Sequence, residues 1–360
     1  MRSDYQAIAK LYHAWLTGMI LMVVTRRGAA SAAELVFRVF RRQHLATFLP
    51  GLKKLGLEHL PPAVAAAQYH YLSNQIGGVR VEYMYESDRK AWVRYAPPRW
   101  IWEGTAICGI PSEVSQAMLR GWHAHNGVAL GNPSLGFVCT KQTVDGQDAL
   151  EGYFFEYDRE LDPDERLRFS RGEEAPPFDP AAAPCPPAAN WPAERLEKAA
   201  RNYTMEYIRT MVPEMINLFG PDDGRHLAGT SANLVGMQFF DECKGMLGIE
   251  GEDAGAFADF FVRMAAAQDD TATVRASEDG RVVIRQNGWR LMRGIDALHE
   301  AAFDAWNRLW EGCVAAHDRH LRWTVLARQD QGAEAFEWRI QPRRPASPRP
   351  SQHNRFHSMR

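Results

Sequence analysis

VRVEYMYESDRKAWVRYAPPRWIWEG, residues 79–104, opens on alternating apolar and polar side chains, the period of a strand with one buried face. TATVRASEDGRVVIRQNGWRLMRG, residues 271–294, has the same character and offers Glu278-Asp279-Gly280 as the turn of a hairpin. Ahead of each stretch, apolar residues recur at helical spacing in three runs: 5–24, 31–48 and 62–75, then 194–218, 229–246 and 252–267. After each comes one more helix, starting near Pro111-Ser112 and near Asp296. Two closing strands then flank Asp145-Gly146 and Gln331-Gly332. This order predicts an α+β unit, occurring twice, with helices packed on one face of an antiparallel sheet.

Individual residues recur as well. Leu55-Gly56-Leu57 meets Leu247-Gly248-Ile249, Ser87 meets Ser277, Gly104 meets Gly294 and Trp122 meets Trp310, at an offset of about 190. The chain therefore reads as an internal duplication. A first repeat spans 1–158, a linker 159–193, a divergent second repeat 194–341 and a basic tail 342–360. Between Arg171 and Pro192, prolines at 176, 177, 180, 184, 186, 187 and 192 exclude helix and central strand. A partly polyproline II segment that wraps one domain or spaces two fits that composition. The tail, rich in Pro, Ser and Arg with almost no apolar residues, predicts disorder.

At 360 residues the chain is long enough for two domains of roughly 150 residues each. With 46% hydrophobic, 24% charged and 11% aromatic residues, fibrous and wholly disordered classes are excluded. A formal net charge of −2 leaves no electrostatic footprint for nucleic acid. Cys108, Cys139, Cys185, Cys243 and Cys313 lack CxxC spacing, so reduced thiols in a cytoplasm are expected. WLTGMILMVV, residues 15–24, is too short to span a bilayer and has no clean cleavage site before Arg26 and Arg27, which predicts a buried helix and no membrane partner.

No GxGxxG, GxxxxGK[ST], HExxH or GxSxG occurs, so no nucleotide cofactor, zincin or nucleophile-elbow chemistry is indicated. Phe219-Gly220-Pro221-Asp222-Asp223-Gly224 reads as a turn whose aspartates repel phosphate.

A residue present in one copy and replaced in the other is not demanded by a shared fold, and the histidines are asymmetric in this sense. His59 faces Gly251, His70 falls near Phe261 or Val262, His123 faces Glu311 and His125 faces Cys313. A histidine site therefore belongs to the first half or to its interface with the second. Trp122-His123-Ala124-His125-Asn126-Gly127 is the densest polar cluster. Imidazoles two apart share a side only in extended chain, so joint metal ligation requires the helix to end before them. Proton transfer, or capping of the helix C-terminus by His125, are the other uses of the pair.

His59 lies beside Glu58 in a loop before the third helix, and His70 lies on that helix between Tyr69 and Tyr71; Glu58 or Glu82 can orient an imidazole. Cys139 reads as a small buried hydrophobe and Cys243 as a helix-surface thiol whose pKa Lys244 would lower. Trp92, Trp100, Trp102 and Trp122, with Tyr83, Tyr85 and Tyr95, are dense enough to line a pocket for a planar ligand or to fill a core.

The element order, with closing strands LGFVCTKQTVDGQDALEGYFFEYD (135–158), resembles the superfamily that holds L-2-amino-thiazoline-4-carboxylic acid hydrolase-like proteins and the 4-vinyl reductase type ligand-binding domain. The resemblance covers 1–158 and 194–341. The hydrolase-like families usually end in a Gly-Asp turn and a Cys-Asp-Phe strand. Here Asp145-Gly146 precedes Gly152-Tyr153-Phe154-Phe155, the second half has Phe336-Glu337-Trp338, and the cysteine is absent from both.

For fold, the resemblance implies the α+β unit; for chemistry, hydrolytic opening of a ring C–N bond in a small aromatic or heterocyclic compound. In that scheme His123 or His125 is the general base, Glu58 or His59 a second proton carrier, and His70 with the Trp and Tyr cluster holds the ring. A second reading is a non-catalytic small-molecule sensor or accessory protein. A third is an oxygenase or lyase with a divalent metal on His59, His70, His123 and His125. All three take a small-molecule partner and leave the oligomeric state open.

Overall fold

The computed structural model describes residues 2–98, 101–186, 191–277 and 280–343. The first half runs α1 (Arg2–Arg27), α2 (Ala29–Leu55), α3 (Pro62–Ile76), β1 (Val81–Ser87), β2 (Lys90–Tyr95), α4 (Ser112–Gly121), α5 (Asn126–Ala129), β3 (Leu135–Lys141), β4 (Leu150–Glu156) and β5 (Leu167–Phe169). The second runs α6 (Ala193–Phe219), α7 (Pro221–Leu247), α8 (Ala254–Ala267), β6 (Thr271–Ala276), β7 (Val282–Asn287), α9 (Ala301–His317), β8 (Leu321–Ala327) and β9 (Phe336–Pro342). The fold is α+β.

Glycine sets the helix boundaries. Gly28 and Gly220, at φ 87° and 83°, turn the chain between the first two helices of each half. The recurring Leu-Gly-Leu/Ile is a helix C-cap: Gly56 and Gly248 are left-handed, and the next residue's N–H returns to Leu52 O or Lys244 O. The segment read as a turn at 219–224 is instead the start of α7. Pro221 takes the first helical position and Asp222 and Asp223 complement the dipole. The fourth helix of the second half begins at Ala301, later than Asp296 suggested.

Strand order is β1-β2-β4-β3-β5 in one sheet and β6-β7-β9-β8 in the other. All pairings are antiparallel except β3 with β5, a short strand that the sequence pattern did not reveal. In corresponding places Tyr95 pairs with Leu150 and Gln286 with Phe336, and bulges fall at Cys139/Lys141 and Val325/Ala327. Helices cover the face that carries Val93, Tyr95, Leu150 and Phe154. The opposite face of the first sheet holds Met84, Trp92, Val138 and Tyr153. The Pro-rich segment wraps that face: Phe178 packs there, Tyr153 donates to Glu173 at 3.0 Å and Lys141 to Glu174 at 2.6 Å.

The first helix of each half also packs across the boundary. α1 lies on α7 and α8 as well as on α2, and α6 lies on α2 and α3 as well as on α7. Trp15 Nε1 donates to Ala228 O at 3.1 Å, and Tyr203 Oη donates to Asn74 Oδ1 at 2.8 Å. One continuous apolar core runs through both halves as a result.

α1 extends the helix expected over 5–24 by about one turn at each end. Asp4–Arg27 is long and apolar enough, by length and composition alone, to cross a membrane, and here its apolar side lies in the core, with Leu11, Trp15, Leu16, Met19, Ile20 and Val23 fully buried. All five cysteines are free thiols. Cys243 is buried against Ala7 O rather than on a helix surface, and burial pushes it up to about 12, where Lys244 was expected to lower it. Residues 187–190 of the linker, Glu278 and Asp279 of the expected turn, and the tail from 344 lie outside the described residues.

Candidate functional site

A cavity of ≈ 180 Å³ lies where α6 of the second half closes over the first. α2 contributes Phe40, Gln43 and Thr47; α3 contributes Tyr69, His70, Ser73 and Asn74; β2 contributes Tyr95 and β4 Leu150. Ile101, Met118, Trp122 and His123 form another wall, and Tyr203, Glu206 and Tyr207 of α6 form the lid. The volume is comparable with the ~150 Å³ of an engineered apolar cavity that binds benzene.

Five side chains form a hydrogen-bonded chain along one wall. Asn126, fully buried, accepts at Oδ1 from His44 Nε2 (2.9 Å) and donates from Nδ2 to His70 Nε2 (3.0 Å). With that nitrogen accepting, His70 carries its proton on Nδ1 and donates to Tyr95 Oη at 3.0 Å. The Tyr95 hydroxyl donates in turn to His123 Nε2 at 3.1 Å. Every donation therefore runs one way, from His44 toward His123, and His44 and His70 are neutral. Burial, with the neighbouring His123 and His44, keeps His70 well below the ordinary histidine range. Burial, with His125 and Arg41 nearby, brings His44 down to about 3, and its Nδ1 has no hydrogen-bond partner among the described residues.

Of the residues selected from the sequence, the cavity brings together His70, Tyr95, Trp122 and His123. His125 projects elsewhere, because residues 123–125 form a 3-10 turn rather than extended chain. Its ring meets His44 edge-on at 5.0 Å, and burial with Arg41 and Arg166 holds it at about 4. Glu58 and His59 sit on an exposed turn between α2 and α3, outside the cavity lining.

Strand alternation sends Trp92 to the opposite face of the sheet, where Nε1 donates to Glu86 at 2.7 Å. Tyr83 is on the helix side but packs on Tyr71 and accepts from Gln68. Tyr85 is exposed, Glu82 pairs with Arg94, and Trp102 is core. Trp100 lies outside the described residues. His59, His70, His123 and His125 do not converge, and among the described residues no three His, Cys, Asp or Glu side chains are grouped to hold a metal.

Sequence reading missed His44, Asn126 and the whole lid. Asn126-Gly127 has a turn signature, yet Asn126 begins α5. At the offset of about 190 from Tyr203, Tyr12 takes the matching place in the second half, bonding Gln268 and accepting from Trp306 Nε1 at 3.1 Å. There Trp306, Trp310 and Trp338 are fully buried around Phe261. Glu206, at the cavity mouth with its side chain 49% exposed, is raised by the protein packed around it.

Comparison of the chain with protein-family models, with curated proteins and with solved structures gave no match.

Proposed function

We propose that the protein is an enzyme that binds a small aromatic or heterocyclic compound in this cavity and acts on it by proton transfer through Tyr95 and His123. The observation that carries this reading is a phenol held between two imidazoles, facing an aromatic-walled space. A neutral imidazole is a base at neutral pH without further tuning.

For hydrolytic opening of a ring C–N bond, the steps balance as follows. His123 Nε2 draws the phenolic proton of Tyr95, and His70 Nδ1–H stabilises the phenolate. Tyr95 Oη then takes a proton from water as the hydroxide adds to the ring carbon. The C–N bond breaks, and the His123 imidazolium returns its proton to the leaving nitrogen. His125, Glu58 and His59 have no part in this scheme, since none of them lines the cavity.

We also infer that the halves are copies of one unit. The paired glycine turns, the common strand order and the matching bulges support this. A second reading, a ligand sensor in the cytoplasm, is favoured by His70, whose two ring nitrogens are both engaged within the protein.

Screening aromatic and nitrogen-heterocyclic compounds by thermal shift, then following binders by mass spectrometry, separates the readings. Conversion by wild type and binding without conversion by Tyr95→Phe supports the enzyme. Binding that never leads to conversion supports the sensor, and a screen without binders overturns both.

A further inference from the structure

Next to the aromatic cavity lies a cleft of ≈ 250 Å³ that shares Glu206 with it. Its walls carry three guanidinium groups: Arg209 from α6, and Arg290 and Arg293 from the turn after β7. Arg290 is held in place, donating to Asp269 at 2.7 Å and to Asn202 at 3.1 Å. The other two have only distant counter-charges. Arg209 Nε is 4.0 Å from Glu206 and its Nη1 donates to Leu291 O, while Arg293, 62% exposed, is 3.8 Å from Asp270. Three guanidinium groups thus line the cleft with Glu206 as the one carboxylate among its lining residues, and Arg209 and Arg293 are the two whose counter-charges stand off at 4.0 and 3.8 Å.

We infer that the ligand of the aromatic cavity is an acid whose ring fills the cavity and whose carboxylate reaches past Glu206 to Arg209 and Arg293. This rests on reading the cavity as a small-molecule site. A planar guanidinium matches a carboxylate through two parallel N–H···O bonds. Glu206 favours a monoanion over a doubly charged phosphate, because each added negative charge in the cleft is repelled by its own. Arg290, anchored by its partners, fixes one wall of the cleft.

Isothermal titration of wild type, Arg209→Gln and Arg293→Gln with p-cresol, 4-hydroxyphenylacetate and 4-hydroxyphenylacetamide tests this. Wild type is expected to bind the acid roughly ten- to a hundredfold more tightly than the amide. Each glutamine variant is expected to lose most of that preference and to keep its affinity for p-cresol, which also reports that the variant is folded. Equal affinity for acid and amide in wild type, with p-cresol bound, overturns the inference and leaves the cavity reading standing. A preference that survives both substitutions overturns it too. If wild type binds none of the three, both the inference and the cavity reading fall.

Discussion

The imidazoles of His70 and His123 lie face to face, 4.0 Å apart between ring centroids and 18° from parallel. Two neutral rings gain from such stacking. Two imidazolium ions at that distance would repel by about 4 kcal/mol even at an effective dielectric constant of roughly 20. The pair therefore tolerates one positive charge at most, and the Tyr95 hydroxyl bonded to both rings is where a proton can pass without creating a second.

Stability should fall in acid, and the sign follows from burial. His44 and His70 are depressed in the folded protein, His44 to about 3, whereas an unfolded histidine titrates at 6.5. Below 6.5 the unfolded chain binds protons that the native state refuses, so folding loses up to about 1.4 kcal/mol per pH unit for each such histidine. The loss begins as pH falls through 6.5 and continues toward 3. Urea unfolding at pH 7.5 and pH 5 measures it, and His44→Gln should show a smaller difference between the two. An identical difference would show that His44 is not part of the cause.

Tyr95→Phe keeps the ring and removes the hydroxyl bonded to His70 Nδ1 and His123 Nε2. The expected cost is about 1–3 kcal/mol in stability, with the fold retained. On any compound the protein converts, turnover should fall by roughly a hundredfold or more, since a proton carrier is lost. Trp92→Phe, on the far face of the sheet, should leave turnover unchanged. Equal losses in both variants would mean that the effect is structural.

Much of this site was written in the sequence as local pattern, and what was missed is non-local. Period and glycine placement reveal the helices and hairpins because Gly56, Gly146 and Gly332 act within their own turns. His70 and His123 stood out because their counterparts differ in the second half, and Tyr95 because it lies in a dense run of Trp and Tyr. The packing of α6 across the boundary left no local mark, so Tyr203, Glu206 and Tyr207 could not be assigned to a first-half cavity. Trp92 and Tyr95 lie three apart on one strand, and the face each takes depends on what covers the sheet, here helices on one side and the Pro-rich segment on the other.

A metal measurement bears on the four histidines. Only His70 and His123 meet, and the Tyr95 hydroxyl occupies the ring nitrogens that face each other's neighbourhood. Elemental analysis of untagged, as-purified protein should give substoichiometric iron, zinc and manganese, unchanged in His123→Ala/His125→Ala. About one metal per chain, lost in the double variant, would overturn the proton-transfer scheme in favour of metal-assisted chemistry.

Gly127 follows Asn126 in α5, and a side chain there has nowhere to go. A Cβ at this position would press on the carbonyl oxygens of Leu135 and Asn132, both backbone atoms, so no rotamer change relieves it. Asn132 N–H already donates to Gly127 O at 2.8 Å, which ties the two segments together. The conflict must be relieved by moving α5 away from β3, and α5 carries Asn126, the link between His44 and His70. Gly127→Ala should therefore destabilise the fold by about 1–3 kcal/mol. It should also weaken binding of any cavity ligand, whereas Gly131→Ala, strained at φ 69° but open around its Cβ, should affect stability alone. Thermal unfolding with and without ligand separates the two effects. Unaltered ligand affinity in Gly127→Ala would show that Asn126 does not set the geometry of His70.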